Sequence, residues 1–185
     1  MVSRLSSESY VSPPRTGIIA NAHLCVEEQT GEVVTCDLTS KRARDSAGVP
    51  SLLTQIDGPV SSARADTAYD AEVVYEALEN HRADRSPRVL IPPRKGAQLA
   101  SESATTRQRN RNIRAQPRVG KRMSHTESGY SKRSRVETAF YRYKTIVGAV
   151  MRARGLRSQR VEARIGCKIL NTMTALGMPH GEMVG

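Results

Sequence analysis

The stretch that most limits the possible folds runs from Ser131 to Ala153. Its apolar residues Val136, Phe140, Tyr143, Val147 and Val150 recur at spacings of three and four. On a helix these form one stripe, and a stripe of that kind needs a core to lie against. Tyr130, Arg133, Glu137 and Lys144 form a second stripe within an arc of about 60°. It carries a phenol, two cations and one carboxylate. The ordinary meaning is a solvated face, on which an Arg133–Glu137 pair adds about 0.2–0.5 kcal/mol to a helix. The alternative is a site. A lone carboxylate between cations, on the wet edge of a buried helix, suits a metal and a phosphate.

What precedes this helix decides the fold class. Residues 17–38 alternate apolar and polar as a β-hairpin, with Gln29-Thr30-Gly31 as its turn. Val49–Ile56 reads as a short helix with Pro50 at its start, and Val60–Ala65 as a strand. Asp70–Arg82 reads as a helix capped by Asp70, and Arg88–Ile91 as a strand stopped by Pro92-Pro93. Gly96–Ser128 has little hydrophobic pattern, and reads as a mobile loop or a single-turn basic helix. Gln159–Leu176 is a last amphipathic helix, with Val161, Ile165, Ile169, Leu170, Met173 and Leu176 expected inward. Hairpin, then alternating helices and strands, then two helices is an α/β order. Residues 1–16, rich in Ser, Pro and Arg without periodicity, are expected to be a disordered lead-in.

The net charge is +11, and it is uneven. Between Arg107 and Arg160 there are sixteen Lys and Arg against two acids, Glu127 and Glu137. That half should meet a polyanion, nucleic acid before an acidic membrane. Cys25, Cys36 and Cys167 lack metal-ligand spacing and read as reduced, buried thiols. With no apolar run long enough for a membrane helix and no signal peptide, a cytoplasmic protein is expected.

The spacing Y-x2-R-x3-E-x6-K is complete in Tyr130, Arg133, Glu137 and Lys144. It resembles the signature of the insertion-sequence DDE transposases. Ala65-Asp66-Thr67-Ala68-Tyr69-Asp70 is similar to the family segment that carries its second catalytic aspartate. Val89-Leu90-Ile91-Pro92-Pro93-Arg94-Lys95 resembles the strand before the family's insertion. Asn171 and Leu176-Gly177-Met178-Pro179 are similar to its closing helix. The resemblance runs from about residue 21 to 179.

It implies an RNase H-like catalytic core over residues 17–180, with Asp66 and Glu137 as catalytic residues and ligands of Mg2+ or Mn2+. Tyr130, Arg133, Lys144, Arg94 and Lys95 would contact DNA phosphates at element ends and target. The family's reaction is strand cleavage and transfer by two-metal phosphoryl transfer, for which hard cations need oxygen ligands. A DDE site needs three carboxylates, and no aspartate precedes Asp37. The expectation is therefore an N-terminally shortened transposase, lacking the first strand and first ligand. It would bind metal weakly, be inactive alone and be open to homo-oligomerisation. The competing readings are a non-catalytic basic nucleic-acid-binding protein and a two-metal nuclease of the same fold.

Overall fold

Alternation in the expected hairpin builds β2 (Ala20–Glu27) and β3 (Val33–Ser40), paired antiparallel. The computed structural model describes residues 2–10 (backbone alone), 20–81, 86–115 and 134–177. At the hairpin turn the Glu27 carboxylate accepts the N–H groups of Thr30 (2.8 Å) and Gln29 (3.0 Å). The Thr30 N–H is the main reason the Glu27 carboxyl is held below its ordinary range. Gly31 supplies the left-handed backbone, φ 76°, that closes the turn.

The first correction concerns the lead-in. Val2–Tyr10 is a strand, β1, at the centre of the sheet. It runs antiparallel to β2 and parallel to β4 (Ser62–Ala65), with Leu5 level with both Cys25 and Ala65. β5 (Arg88–Leu90) joins β4 in parallel, giving the order β3-β2-β1-β4-β5. The expected missing strand is thus present. Its sequence, VSRLSSESY, shows no strong alternation. A strand flanked on both edges is specified by backbone hydrogen bonds to its neighbours, which composition does not register.

Helices cover both faces of the sheet. On one, Cys25, Ala63, Ala65, Tyr69 and Val89 pack with α1 (Val49–Leu53) and α2 (Glu72–Glu79). α3 (Ala104–Ala115) lies beyond, against α2 and β5. It puts about three helical turns into a stretch expected to be a loop or a single-turn helix, the rest of which, from residue 116, lies outside the described residues. On the other face, Ala20, Ala22, Leu24 and Val26 pack with α4 (Ser134–Arg142) and α5 (Leu156–Ala175). Full burial of a side chain such as Phe140 contributes about 1.5–3 kcal/mol.

α4 is shorter than its pattern. A π turn over Tyr143–Val147 ends it at Gly148, φ 123°. Val136, Phe140 and Tyr143 are buried as expected, but Val150 is exposed and Met151 takes its place in the core. α5 also differs. Leu170 faces inward, whereas Val161, Ile165, Ile169, Met173 and Leu176 are exposed. Its inner face is made of Ala163, Gly166, Cys167 and Leu170, and at Gly166 the Tyr143 ring lies too close for a larger residue.

α5 also satisfies the outer edge of β3. The Asn171 amide donates to the Val33 carbonyl (2.8 Å) and accepts its N–H (2.9 Å), and Arg160 Nε donates to the Leu38 carbonyl (3.0 Å). A strand edge occupied in this way is closed to a further strand there. Cys25, Cys36 and Cys167 are buried free thiols, as expected. Among the described residues no helix is long and apolar enough to cross a membrane.

Candidate nucleic-acid and metal site

The end of β4 sets the direction of its acid. Ala63 and Ala65 are buried toward α1 and α2. Alternation then gives Arg64 and Asp66 the opposite face, the one α4 covers. Asp66 keeps extended backbone, φ −78° and ψ 176°, and its Oδ1 accepts the Ala68 N–H at 2.8 Å. It caps the short 3-10 turn Thr67–Tyr69. The capping role expected of Asp70 is therefore corrected: α2 starts from Ala71 without a side-chain cap.

Asp70 has a different task. Its side chain is fully buried and ion-paired to Arg109, Nε–Oδ1 2.9 Å. Arg109 Nη2 donates to Oδ2 at 3.3 Å, and the Arg94 N–H donates to the same oxygen at 2.9 Å. One carboxylate thus ties α3 and the segment after β5 to the turn after β4. The Arg94 guanidinium completes the tie by donating to the carbonyls of Ala68 (2.9 Å) and Thr67 (3.4 Å). Arg94 does sit beside the Asp66 turn, but its head is engaged with backbone. Lys95 is exposed next to it. A cavity of about 250 Å3 opens between α2 and α3, lined by Asp70, Glu72, Tyr75, Thr106 and Arg109 among others. Burial pushes the Tyr75 hydroxyl up to about 12.

On α4, Val136, Ala139 and Phe140 point into the core and Glu137 is exposed. Arg142 Nη1 donates to Thr174 Oγ1 on α5 at 3.0 Å, which marks the flank of α4 that faces α5. Glu137 lies about 140° around the helix from Arg142, on the other flank. α5 packs on β3, and α4 on β2 and β1. The flank of α4 turned away from α5 therefore looks over β4, the strand that ends at Asp66. Asp66 and Glu137 share one face of the sheet and one side of α4. Lys144 lies within the π turn that follows α4. Tyr130 and Arg133 fall outside the described residues.

Among the described side chains, no third acid joins them in a group that could hold a metal. One step beyond the Leu5–Ala65 pair, the β1 residue level with Asp66 is Ser6. Among the described residues no group of three His, Cys, Asp or Glu could hold a metal ion. Asp66 and Glu137 alone are fewer carboxylates than a two-metal centre needs.

Two polar groups escaped the sequence reading. Arg64 forms an ion pair with Glu28, on the same sheet face as Asp66. His23 is fully buried, with Nε2 hydrogen-bonded to Thr39 Oγ1 (2.7 Å) and Nδ1 to Tyr69 Oη (3.1 Å). Burial lowers the His23 pKa. Alternation in the hairpin was the available signal, since His23 and Asp37 are cross-strand partners among apolar neighbours.

A family model described as transposase DDE domain matches residues 15–172. No solved structure matches the chain.

Proposed function

The chain belongs to the transposase DDE domain family, whose work is DNA transposition with divalent metal ions, and on that premise we propose that it is a DNA-binding transposase core of RNase H-like form, impaired in strand cleavage. The observation that carries this reading is the common face of Asp66 and Glu137. Asp66 closes a strand beside the central one, Glu137 stands on the flank of α4 that overlooks it, and both are acids the family uses. A central first strand, as in β1, is what an RNase H-like sheet requires.

The impairment follows from β1 itself. Its only acid is Glu8, and Ser6 stands level with Asp66. A hydroxyl does not replace a carboxylate as an anionic ligand for a hard cation. The described residues do not supply a full two-metal centre. In this reading Asp66 and Glu137 bind Mg2+ or Mn2+ weakly. Lys144 holds a phosphate beside them as a point charge, and Lys95 extends the contact past the Asp66 turn. Tyr130 and Arg133 complete the signature and are proposed phosphate contacts.

The test pairs two assays on the full chain. Mn2+ titration should show weak binding that weakens further in Asp66→Asn. Strand cleavage with Mg2+ or Mn2+ should be negligible. Efficient cutting that vanishes in Glu137→Gln would overturn the impairment, and Mn2+ binding unchanged in Asp66→Asn would overturn the site.

A further inference from the structure

α3 has an unusual inner face. Asn110 is fully buried, with its amide donating to the Ala100 carbonyl (2.8 Å) and accepting its N–H (3.1 Å). Asn112 Nδ2 donates to Tyr75 Oη and to the Val89 carbonyl, each at 3.2 Å. Arg109 is locked to Asp70. Buried polar groups with every partner in place fix an orientation more narrowly than apolar contact does. The rotation of α3 about its axis is thereby set. That rotation turns Arg107, Arg111 and Arg114 outward, all exposed. At spacings of four and three they form one stripe about 10 Å long. Arg114 shares its charge with Glu102 at 3.1 Å, both largely exposed. Arg107 and Arg111 have no acid of the described residues within ion-pair distance.

We propose that this arginine stripe is a second docking strip for the backbone of double-stranded DNA, lying outside the Asp66–Glu137 face. α3 belongs to the α2 side of the sheet, next to β5, whereas Asp66 and Glu137 belong to the other side. Arg88 on β5, the strand α3 packs against, and Lys95 just after it are also exposed. The strip carries no exposed aromatic residue, so it suits phosphates rather than unstacked bases. It deepens the DNA-binding reading and rests on it. Its role is to hold a duplex that bends round the β5 edge away from the acids.

The experiment measures affinity of the full chain for a mixed-sequence DNA duplex by fluorescence anisotropy across a salt series. Each phosphate contact contributes about 0.9 to the slope of log K against log salt. Arg107→Gln/Arg111→Gln should lower the slope by about 1.8. A fourfold rise in salt then costs the variant about 12-fold less affinity than it costs the wild type. Arg107→Lys/Arg111→Lys should keep the wild-type slope. Circular dichroism should show the same helix content in all three. Wild-type binding with an unchanged slope in the glutamine variant overturns the strip alone. Tighter binding of an RNA duplex than of DNA also overturns it. A wild type that binds no duplex overturns the DNA-binding reading together with it.

Discussion

Replacing Gly166 by alanine should destabilise the protein, although the position lies inside a helix where alanine is normally preferred. The helix preference favours Ala over Gly by about 0.8–1.0 kcal/mol. Against it stands the ring of Tyr143. A Cβ on Gly166 would meet Tyr143 Cε2 at 2.5 Å, its Oη at 2.6 Å and Cζ at 2.7 Å. Ordinary contact begins at 3.4 Å, so the ring would have to retreat by about 0.9 Å. It has little room to do so. Tyr143 is buried in the core with Cys36, Phe140, Met151 and Cys167, and its backbone begins the π turn that carries Lys144. Overpacking of this sort costs about 1–3 kcal/mol, so the net loss is about 1 kcal/mol. For a domain of this size that lowers Tm by about 2–4 °C in a calorimetric scan. Gly58→Ala is the control, since nothing lies within 4 Å of a Cβ there. It should leave Tm unchanged or raise it slightly. If Gly166→Ala raises Tm as the control does, the close approach of α5 to Tyr143 is wrong. The placement of the Lys144 turn falls with it.

The buried Asp70–Arg109 pair should be among the most sensitive polar contacts. Asp70→Asn leaves Arg109 facing a neutral partner and should cost about 3 kcal/mol in urea unfolding; a loss below about 1 kcal/mol would show that α3 is not anchored there. His23 makes stability depend on pH. Its pKa is lower folded than unfolded, so its neutral form contributes stability that is complete above about pH 6.5. That contribution is lost as pH falls below this value, because the unfolded chain takes up the proton first. His23→Gln should flatten the acid side of the stability profile, and an unchanged profile would remove His23 as the cause.

The hairpin was legible because the turn residues Gln29-Thr30-Gly31 stand between two largely apolar runs, both of which the structure buries. The short α2 and the strand ahead of Asp66 were legible from breakers and apolar spacing, although the cap read at Asp70 was not one. The buried stripe of α4 was legible too, since helical period alone collects Val136, Phe140 and Tyr143. Three things were hidden. β1 has a composition that suggests no structure, and it becomes a strand because β2 and β4 offer hydrogen bonds on both of its edges. α3 has a polar inner face, so a search for apolar period passes over it; its partners, Asp70, Tyr75 and the Val89 carbonyl, are distant in sequence. α5 was read with six bulky residues inward, of which only Leu170 is, and at Gly166 the close approach to Tyr143 admits no side chain.

The sequence by itself determined the residue types of the proposed site and the helical spacing that groups half of them, because those depend on local geometry. Only the tertiary structure decided that Asp66 and Glu137 share one face, and that a serine rather than an aspartate stands level with Asp66 on the central strand. Those facts depend on strand order and register, which are settled by backbone pairing between segments far apart in the chain.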